Sequence, residues 1–119
     1  MSRHIFHIAA NADWQRAREN GSYDVESLAI EGFIHCSHSH QVVEVANRLF
    51  QGRADLVLLR IARNEVDAAI KEENCGGGEI LYPHVYGTLN LNAIVEVLPL
   101  FPRADGTFLP PWAFKPSSA

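Results

Sequence analysis

The stretch DLVLLRIA (residues 55–62) decides the fold, because it is the clearest central strand in the chain. Its apolar residues run on with little alternation, which is typical of a strand covered on both faces. Further strands are predicted over 3–9 and over 89–101. In the last segment one face is predicted to be fully buried and the other partly buried, because Leu91, Ala93, Val95 and Val97 alternate with Asn92, Ile94, Glu96 and Leu98.

Two main short helices are predicted between these strands. The first follows the capping residue Asn11, carries Trp14 and Ala17 on one face, and stops at Asn20-Gly21. The second is capped by Ser37 or Ser39. It is predicted to bury a stripe at helical spacing against DLVLL, with Val45 and Leu49 packing inward, the stripe being Val42, Val45, Ala46, Leu49 and Phe50.

The remaining segments complete an α+β fold. FIHC (33–36) and YPHVYG (82–87) are predicted strands, and Gly76–Gly78 forms a turn. The proline-rich end wraps the surface, with Phe108 and Trp112 docking onto the core. The length and a hydrophobic fraction of 47% predict one domain over 1–119, with 116–119 as a flexible tail.

Composition argues against several classes of protein. Cys36 and Cys75 stand far apart with no CxxC partner, so free thiols are expected. A net charge of −4, with ten Lys and Arg spread along the chain, makes nucleic-acid binding unlikely on charge grounds. The sequence contains no run of about 18 apolar residues, the length that a membrane-spanning helix requires. We therefore expect a cytoplasmic protein that binds a small molecule, and among oligomeric states we favour a monomer.

Histidines carry most of the candidate chemistry. Six occur in the chain, and they concentrate in IFHIA (5–9), GFIHCSHSH (32–40) and YPHVYG (82–87). A single histidine is more often a half-buried residue bonded to the backbone than a catalytic one. Three polar interruptions of strand-like segments are harder to explain as accidents, so we expect His7, His35 and His84 to project into one cleft.

Two other sites remain open but less favoured. A metal could use HCSHSH (35–40), although His35, His38 and His40 do not converge on a strand unless the chain turns at Ser37. Cys36 could be a nucleophile, although a small buried apolar side chain is the simpler interpretation. No metal is therefore expected.

Several motifs together resemble a bacterial family known as domain of unknown function 952. They cover nearly the whole chain, and EGFIHCS followed by PHVYG is the most specific part. The motifs are IFHIA (5–9), EGFIHCS (31–37), DLVLL (55–59), PHVYGTLNLNAI (83–94) and DGTFLPP (105–111). The chain is identified as a member of that family.

That family resembles the ADP-ribosyltransferase fold, a split β-sheet that holds NAD in diphtheria-toxin-like enzymes, poly(ADP-ribose) polymerases and RNA 2′-phosphotransferases. The resemblance places His7 at the first-strand LYHGT histidine, where Ile8 and Ala9 replace the glycine and small hydroxyl. GFIHCS resembles the phosphotransferase HVHLS at His35 and Ser37. For the acidic third position, chain order offers Glu72, Glu73 and Glu79.

The resemblance implies a small ADP-ribosyltransferase-like protein that binds NAD, as substrate or ligand, or a related ADP-ribosyl or phosphorylated compound. His7 is expected to be half-exposed and to hydrogen-bond a ribose hydroxyl. Glycosyl or phosphate transfer is one outcome; a non-catalytic binding module and a metal-dependent hydrolase using HCSHSH are the alternatives. The expected site comprises the catalytic residues His7, His35 and His84 and the ligand-binding residues Ser27, Ser37, Tyr86 and Asn90.

Overall fold

The structure is a computed structural model that describes residues 3–74 and 76–114. Strands and helices follow one another along this part of the chain, with short 3-10 turns between some of them. Their bounds are β1 (His4–Ala10), α1 (Asn11–Asn20), β2 (Ser22–Tyr23), α2 (Glu26–Glu31), β3 (Ile34–His35), α3 (Val42–Leu49), β4 (Leu56–Ala62), β5 (Ala69–Glu73), β6 (Tyr82–Tyr86), β7 (Leu89–Asn90) and β8 (Ile94–Leu100).

Two antiparallel three-stranded sheets form the frame, in the orders β1-β4-β8 and β3-β6-β5. They meet where β1 passes the end of β3. There the Phe6 amide donates to the Ser37 carbonyl over 2.8 Å, and the Ser37 amide donates to the Phe6 carbonyl over 2.7 Å. β2 and β7 make a small third pair. The predicted α+β class and the central place of β4 are confirmed.

Apolar residues cover both faces of β4, as its unbroken run predicts. Leu59 and Ile61 belong to one core cluster with residues of β1, β3 and β6. Leu56 and Leu58 face the other way and pack with α3 and the C-terminal segment. Phe108 is fully buried there, and its amide donates to Asn47 Oδ1 over 2.7 Å. The predicted docking of Phe108 is confirmed. Trp112 is partly exposed and stacks at a tilt on Phe6.

The ends of the first two helices show what the sequence predicted and what it missed. α1 ends at Gly21 in the left-handed conformation, with its amide bonded to the Ala17 carbonyl, as predicted. Its cap is Ala10 and not Asn11, whose amide donates to the Asp55 carbonyl. α2 was not predicted. It has no fully buried residue and so lacks the apolar stripe that would have signalled a helix.

The prediction of one strand over 89–101 is wrong. A 3-10 turn at Leu91–Ala93 separates β7 from β8, so the strand pairing restarts at Ile94. Leu98 and Leu100 face the core opposite Leu58 and Leu56, whereas Val95 and Val97 are exposed. Because side chains alternate along a strand, the turn exchanges the buried and exposed sets beyond it.

The predicted inward packing of Leu49 is also wrong, since Leu49 is 60% exposed. A 3-10 turn at Ser39–Gln41 leads into α3, which presents Val42 and Ala46 to the sheet. Val45 and Leu49 lie on a neighbouring face of the same helix and line an open cleft. A 2–5 kcal/mol loss for Leu49→Ala is therefore not expected.

The remaining local predictions have mixed outcomes. Gly77 takes a positive φ in the predicted turn, which Asn74 organises through a bond from the Gly76 amide to its Oδ1. β5 was not predicted, because its sequence is polar. Cys75 and the proposed tail at 116–119 lie outside the described residues. In the part of the chain that is described, no helix is both long and apolar enough to cross a membrane.

Candidate functional site

A cleft of about 480 Å³ lies beside the junction of the two sheets, and we call it the junction cleft. The end of β1, the start of α2, the segment after β3 and the start of β6 form its floor and one wall. α3 and the residues after it form the other wall. Of the predicted site residues, five line it: His7, Ser27, His35, Ser37 and His84.

The three predicted histidines therefore come to one cleft, although their catalytic role stays a prediction. Strand pairing explains the approach of two of them. β3 and β6 run antiparallel with His35 directly opposite His84, so the two side chains share one face of the sheet. Their ring centroids are 5.2 Å apart. His7 reaches the same place from β1, because its ring contacts the His35 backbone.

His7 is more enclosed than the sequence suggested. It is only 7% exposed, so the expectation of a half-exposed ring is wrong. Its Nδ1 lies 2.5 Å from the His35 carbonyl oxygen, which only accepts, so Nδ1 carries the proton. Its Nε2 lies 2.8 Å from the Tyr23 hydroxyl, which then donates to it. Both ring nitrogens of His7 are engaged within the protein.

Burial also fixes the charge of the His7–Tyr23 pair. Desolvation lowers the pKa of His7 to about 4, against a partial opposing effect of the His35 backbone bond. Desolvation likewise raises the pKa of the Tyr23 phenol well above its usual range. At neutral pH both groups are uncharged. His7 is therefore a braced, neutral part of the floor, and a ribose hydroxyl could bond to it only by displacing one of these partners.

His84 and His35 occupy different environments within the cleft. His84 is 4% exposed and stacks on Phe33, with ring centroids 4.1 Å apart. Its Nδ1 lies 3.0 Å from Glu73 Oε1. The His35 side chain is about half exposed, and its Nε2 lies 2.9 Å from Glu31 Oε1. Each ring is thus held by a carboxylate from a neighbouring element.

Two serines supply hydroxyl groups to the floor. Ser27 donates to the Phe33 carbonyl over 3.0 Å, which leaves its oxygen able to accept. The Ser37 hydroxyl makes no hydrogen bond with any described residue, although the backbone of Ser37 is fixed to Phe6 on both sides. Ser37 lines the cleft together with Ser27.

Two arginines line the opposite wall. Arg48 contacts Glu44 over 3.0 Å, and Arg53 contacts Asp55 over 2.6 Å; all four side chains are well exposed. Each bond to the carboxylate raises the pKa of its arginine. Exposed pairs of this kind stabilise a fold very little, because solvent screens them, so the guanidinium groups can change partner at little cost.

Two predicted ligand-binding residues lie elsewhere. Tyr86 is outside the lining of the junction cleft; its hydroxyl donates to Glu73, and Lys71 lies over its ring at 4.6 Å. Asn90 is also outside the lining. It accepts from the Asp67 amide over 2.9 Å and donates to the Glu65 carbonyl over 2.8 Å. Asn90 therefore ties surface segments together, which a strand pattern alone could not reveal.

The glutamates considered for the acidic third position do not lie together, because Glu72 and Glu73 point to opposite faces of β5. Glu73 holds His84, whereas Glu72 points to the other side of β5. There Glu72 binds His38 Nε2 over 2.7 Å and Arg63 over 2.6 Å, and these bonds keep its pKa below the usual value despite burial. Glu79 is exposed and outside the lining of the cleft.

The HCSHSH segment supports neither alternative site. His38 is committed to Glu72 and stacks on His40, with ring centroids 5.9 Å apart. Within the described ranges, no three or more His, Cys, Asp or Glu side chains are grouped to hold a metal ion. Cys36 is buried, and desolvation raises the pKa of its thiol far above the usual value, so it has little thiolate character.

Sequence reasoning missed Tyr23, Arg48 and Arg53 as lining residues. Tyr23 stands two residues after the helix-ending Gly21, and nothing local marks it as the partner of His7. The arginines look like ordinary surface residues at the end of an amphipathic helix. Only the packing of α3 beside the sheet junction shows that this end forms a wall.

The comparisons with known proteins identify a family and a fold. Residues 8–97 match the model of the family described as "Protein of unknown function (DUF952)". The chain is similar to the protein CC0527 from Caulobacter crescentus. The X-ray structures of that protein and of a double mutant each give 31% identity and a TM-score of 0.80, covering 89% of this chain and 93% of that chain.

The solution NMR structure of CC0527 gives 31% identity and a TM-score of 0.78, covering 89% of this chain and 91% of that chain. The comparison with curated proteins gives no match. The family model matches well over half of the residues of this chain, so the chain belongs to the DUF952 family.

Proposed function

We propose that the protein binds NAD or a related ADP-ribosyl or phosphorylated ligand in the junction cleft. The observation that carries the proposal is the combination of a polar floor with an arginine wall in one cavity. Its volume of about 480 Å³ falls within the range typical of small-molecule sites. We further propose that the two joined sheets are a compact version of the ADP-ribosyltransferase split sheet.

The floor suits a ribose ring. Ser37 lines the cleft and carries a hydroxyl group, and Ser27 offers an acceptor oxygen. His35 and His84 add ring edges on the same side of the sheet. Ribose hydroxyls both donate and accept, so such a mixed set of groups satisfies them when the ligand displaces water.

The arginine wall suits phosphate. Arg48 and Arg53 can leave their exposed carboxylate partners and form charge-assisted bonds to phosphate oxygens instead. Phe50 and Tyr82 line the same cavity and present aromatic surface to a planar base. A ligand with a base, a ribose and a phosphate can therefore use all three parts of the cleft.

One observation favours a binding module over a transferase. Both ring nitrogens of His7 form hydrogen bonds within the protein, and burial lowers its pKa to about 4. A group that is neutral and fully bonded at neutral pH is a weak acid–base catalyst. If catalysis occurs, it depends on His35 and His84. Incubation with NAD separates the two: release of nicotinamide indicates transfer, and binding without release indicates a module.

Calorimetric titration with NAD, ADP-ribose and nicotinamide tests the proposal. We expect ADP-ribose to bind and its affinity to fall roughly tenfold in Arg48→Gln and Arg53→Gln, the loss of a charge-assisted bond. Arg18→Gln is the matched control, because Arg18 is exposed on α1 and outside the cleft. Absence of heat and of thermal stabilisation with millimolar ligand in the parent protein would refute the proposal.

A further inference from the structure

Another cavity lies at the opposite end of the β1–β4 pair from the junction cleft, and we call it the second pocket. Its volume is about 500 Å³, which falls within the range typical of small-molecule sites. It shares no described lining residue with the junction cleft. The residues that line it are Arg3, Arg63, Asn64, Val66, Ala68 and Ile70.

The strand register brings two arginines together at this end. The last β1–β4 pair is His4 with Ala62. One step further, the Arg63 amide donates to the Arg3 carbonyl over 3.0 Å. Like charges directly opposite each other on antiparallel strands destabilise the pairing. The two neighbouring guanidinium groups therefore need negative charge close by.

Glu72 supplies part of that charge. Arg63 Nη1 donates to Glu72 Oε2 over 2.6 Å, and the Arg63 side chain is 19% exposed. Within the described ranges, neither Nε nor Nη2 of Arg63 has a hydrogen-bond acceptor. These two nitrogens form the side-on edge of the guanidinium group, which matches the two oxygens of a carboxylate. The bond to Glu72 thus holds Arg63 in place and leaves this edge for a second anion.

Arg3 adds a further positive charge. It is exposed and lines the pocket. Its charge acts on the neighbouring ring of His4, whose pKa is lowered by desolvation and then by the charges of Arg60 and Arg3. Of the described residues that line the pocket, none is Asp or Glu. With Glu72 offsetting one of the two lining arginines, one positive charge remains.

The rest of the pocket offers apolar surface. Val66, Ala68 and Ile70 are partly buried and pack against the core cluster formed by residues of β1, β3, β4 and β6. Ile70 and Glu72 stand two apart on β5, so they share one face of that strand. Because Arg63 binds Glu72, its guanidinium group lies beside this apolar surface. An anion that carries an apolar group fits such a combination.

We propose that the second pocket binds a small carboxylate that carries a short apolar group. The carboxylate accepts two hydrogen bonds from the Nε–Nη2 edge of Arg63, and Arg3 adds charge attraction. The apolar group packs on Val66 and Ile70. Bidentate, charge-assisted contacts of this kind are stronger than a neutral hydrogen bond. The inference does not depend on the function proposed for the junction cleft.

Amide NMR titration with benzoate tests the proposal. We expect benzoate to shift the amides of segment 63–70, to saturate, and to leave segment 45–53 of the junction cleft unchanged. Benzyl alcohol carries the ring without the charge, and acetate carries the charge without the ring. Each should bind about tenfold more weakly than benzoate. Inorganic phosphate should also bind more weakly, because it has no apolar group.

Two variants separate the arginines from general charge effects. Arg3→Gln should weaken benzoate binding about tenfold, and it should fold normally because Arg3 is exposed. Arg63→Lys keeps the charge but loses the side-on edge, so a similar loss is expected. Arg18→Gln is the matched control, since Arg18 is exposed and outside the second pocket. It should stay within about twofold of the parent.

Several results would overturn the proposal. High millimolar benzoate that shifts no amide in 63–70, or that acts only at the junction cleft, would remove the site. Equal binding of benzyl alcohol, or equal losses in Arg3→Gln and Arg18→Gln, would remove the role of the arginines. Tighter binding of phosphate would contradict the carboxylate class. If Arg63→Lys does not fold, Arg3→Gln decides alone, and a failure to bind ADP-ribose changes none of these outcomes.

Discussion

Acidification from pH 7 to pH 5 should destabilise this protein through protonation of His7 in the unfolded chain. The ring is buried and neutral, and burial lowers its pKa from 6.5 to about 4 in the folded state. In the unfolded chain the same ring is exposed and titrates near its ordinary value. Between these two pKa values the unfolded state binds more protons than the folded state, so stability falls as the pH falls.

The size of the effect follows from the width of that window. At pH 5 the unfolded His7 is almost fully protonated, while the folded one is still mostly neutral. Each pH unit inside the window corresponds to about 1.4 kcal/mol, so His7 should lower the free energy of unfolding by about 2 kcal/mol between pH 7 and pH 5. The loss should continue toward pH 4 and then level off as the folded ring titrates.

Urea unfolding at half-unit pH steps, on the parent and on His7→Gln, measures this term. Glutamine keeps a donor and an acceptor but does not titrate, so the pH slope between 6.5 and 5 should be shallower in the variant. His4, whose pKa is also lowered, is present in both proteins and cancels in the comparison. Parallel curves for the two proteins over that range would show that His7 is not buried in its neutral form.

Three further changes test the packing. Tyr23→Phe removes the hydroxyl that donates to His7 Nε2 and should lower the free energy of unfolding by about 1–3 kcal/mol, the cost of a buried unpaired acceptor. An unchanged free energy of unfolding would contradict the assigned hydrogen bond. Phe108→Ala should cost about 3–5 kcal/mol because the ring is fully buried, and a loss under about 1 kcal/mol would place the C-terminal segment off the core. Gly21→Ala meets no atom within 4 Å but has a φ of 86°, so backbone strain alone should lower stability by about 1 kcal/mol. An unchanged midpoint there would contradict the left-handed helix end.

Local patterns predicted the parts of the fold that local physics determines. The unbroken run of β4 and the glycine after α1 are visible in sequence because strand burial and left-handed backbone have direct residue signatures. The segment after Leu89 was predicted as one unbroken strand, whereas the structure divides it. A 3-10 turn changes the register there, and nothing in an alternating apolar run marks its presence.

The candidate site was predictable only in part, because contacts between distant elements have no local sequence pattern. The three histidines interrupt strand-like segments, and this pattern correctly indicated that they line one cleft. Their partners Tyr23 and Glu73 come from other elements, and such contacts depend on tertiary packing and strand register. Leu49 was predicted to be buried and is exposed. An amphipathic stripe does not reveal which of its residues borders a cavity and which packs on the sheet.

Amide NMR mapping with ADP-ribose tests the central claim, that the junction cleft is a ligand site, most directly. We predict that shifts concentrate in the segments that form the cleft, namely 7–10, 25–27, 35–37 and 45–53, and that they saturate with one dissociation constant. Residues of the exposed β8 face, such as Val95, should not respond. Spectra that stay unchanged at millimolar ligand, or that shift only outside these segments, would contradict the account.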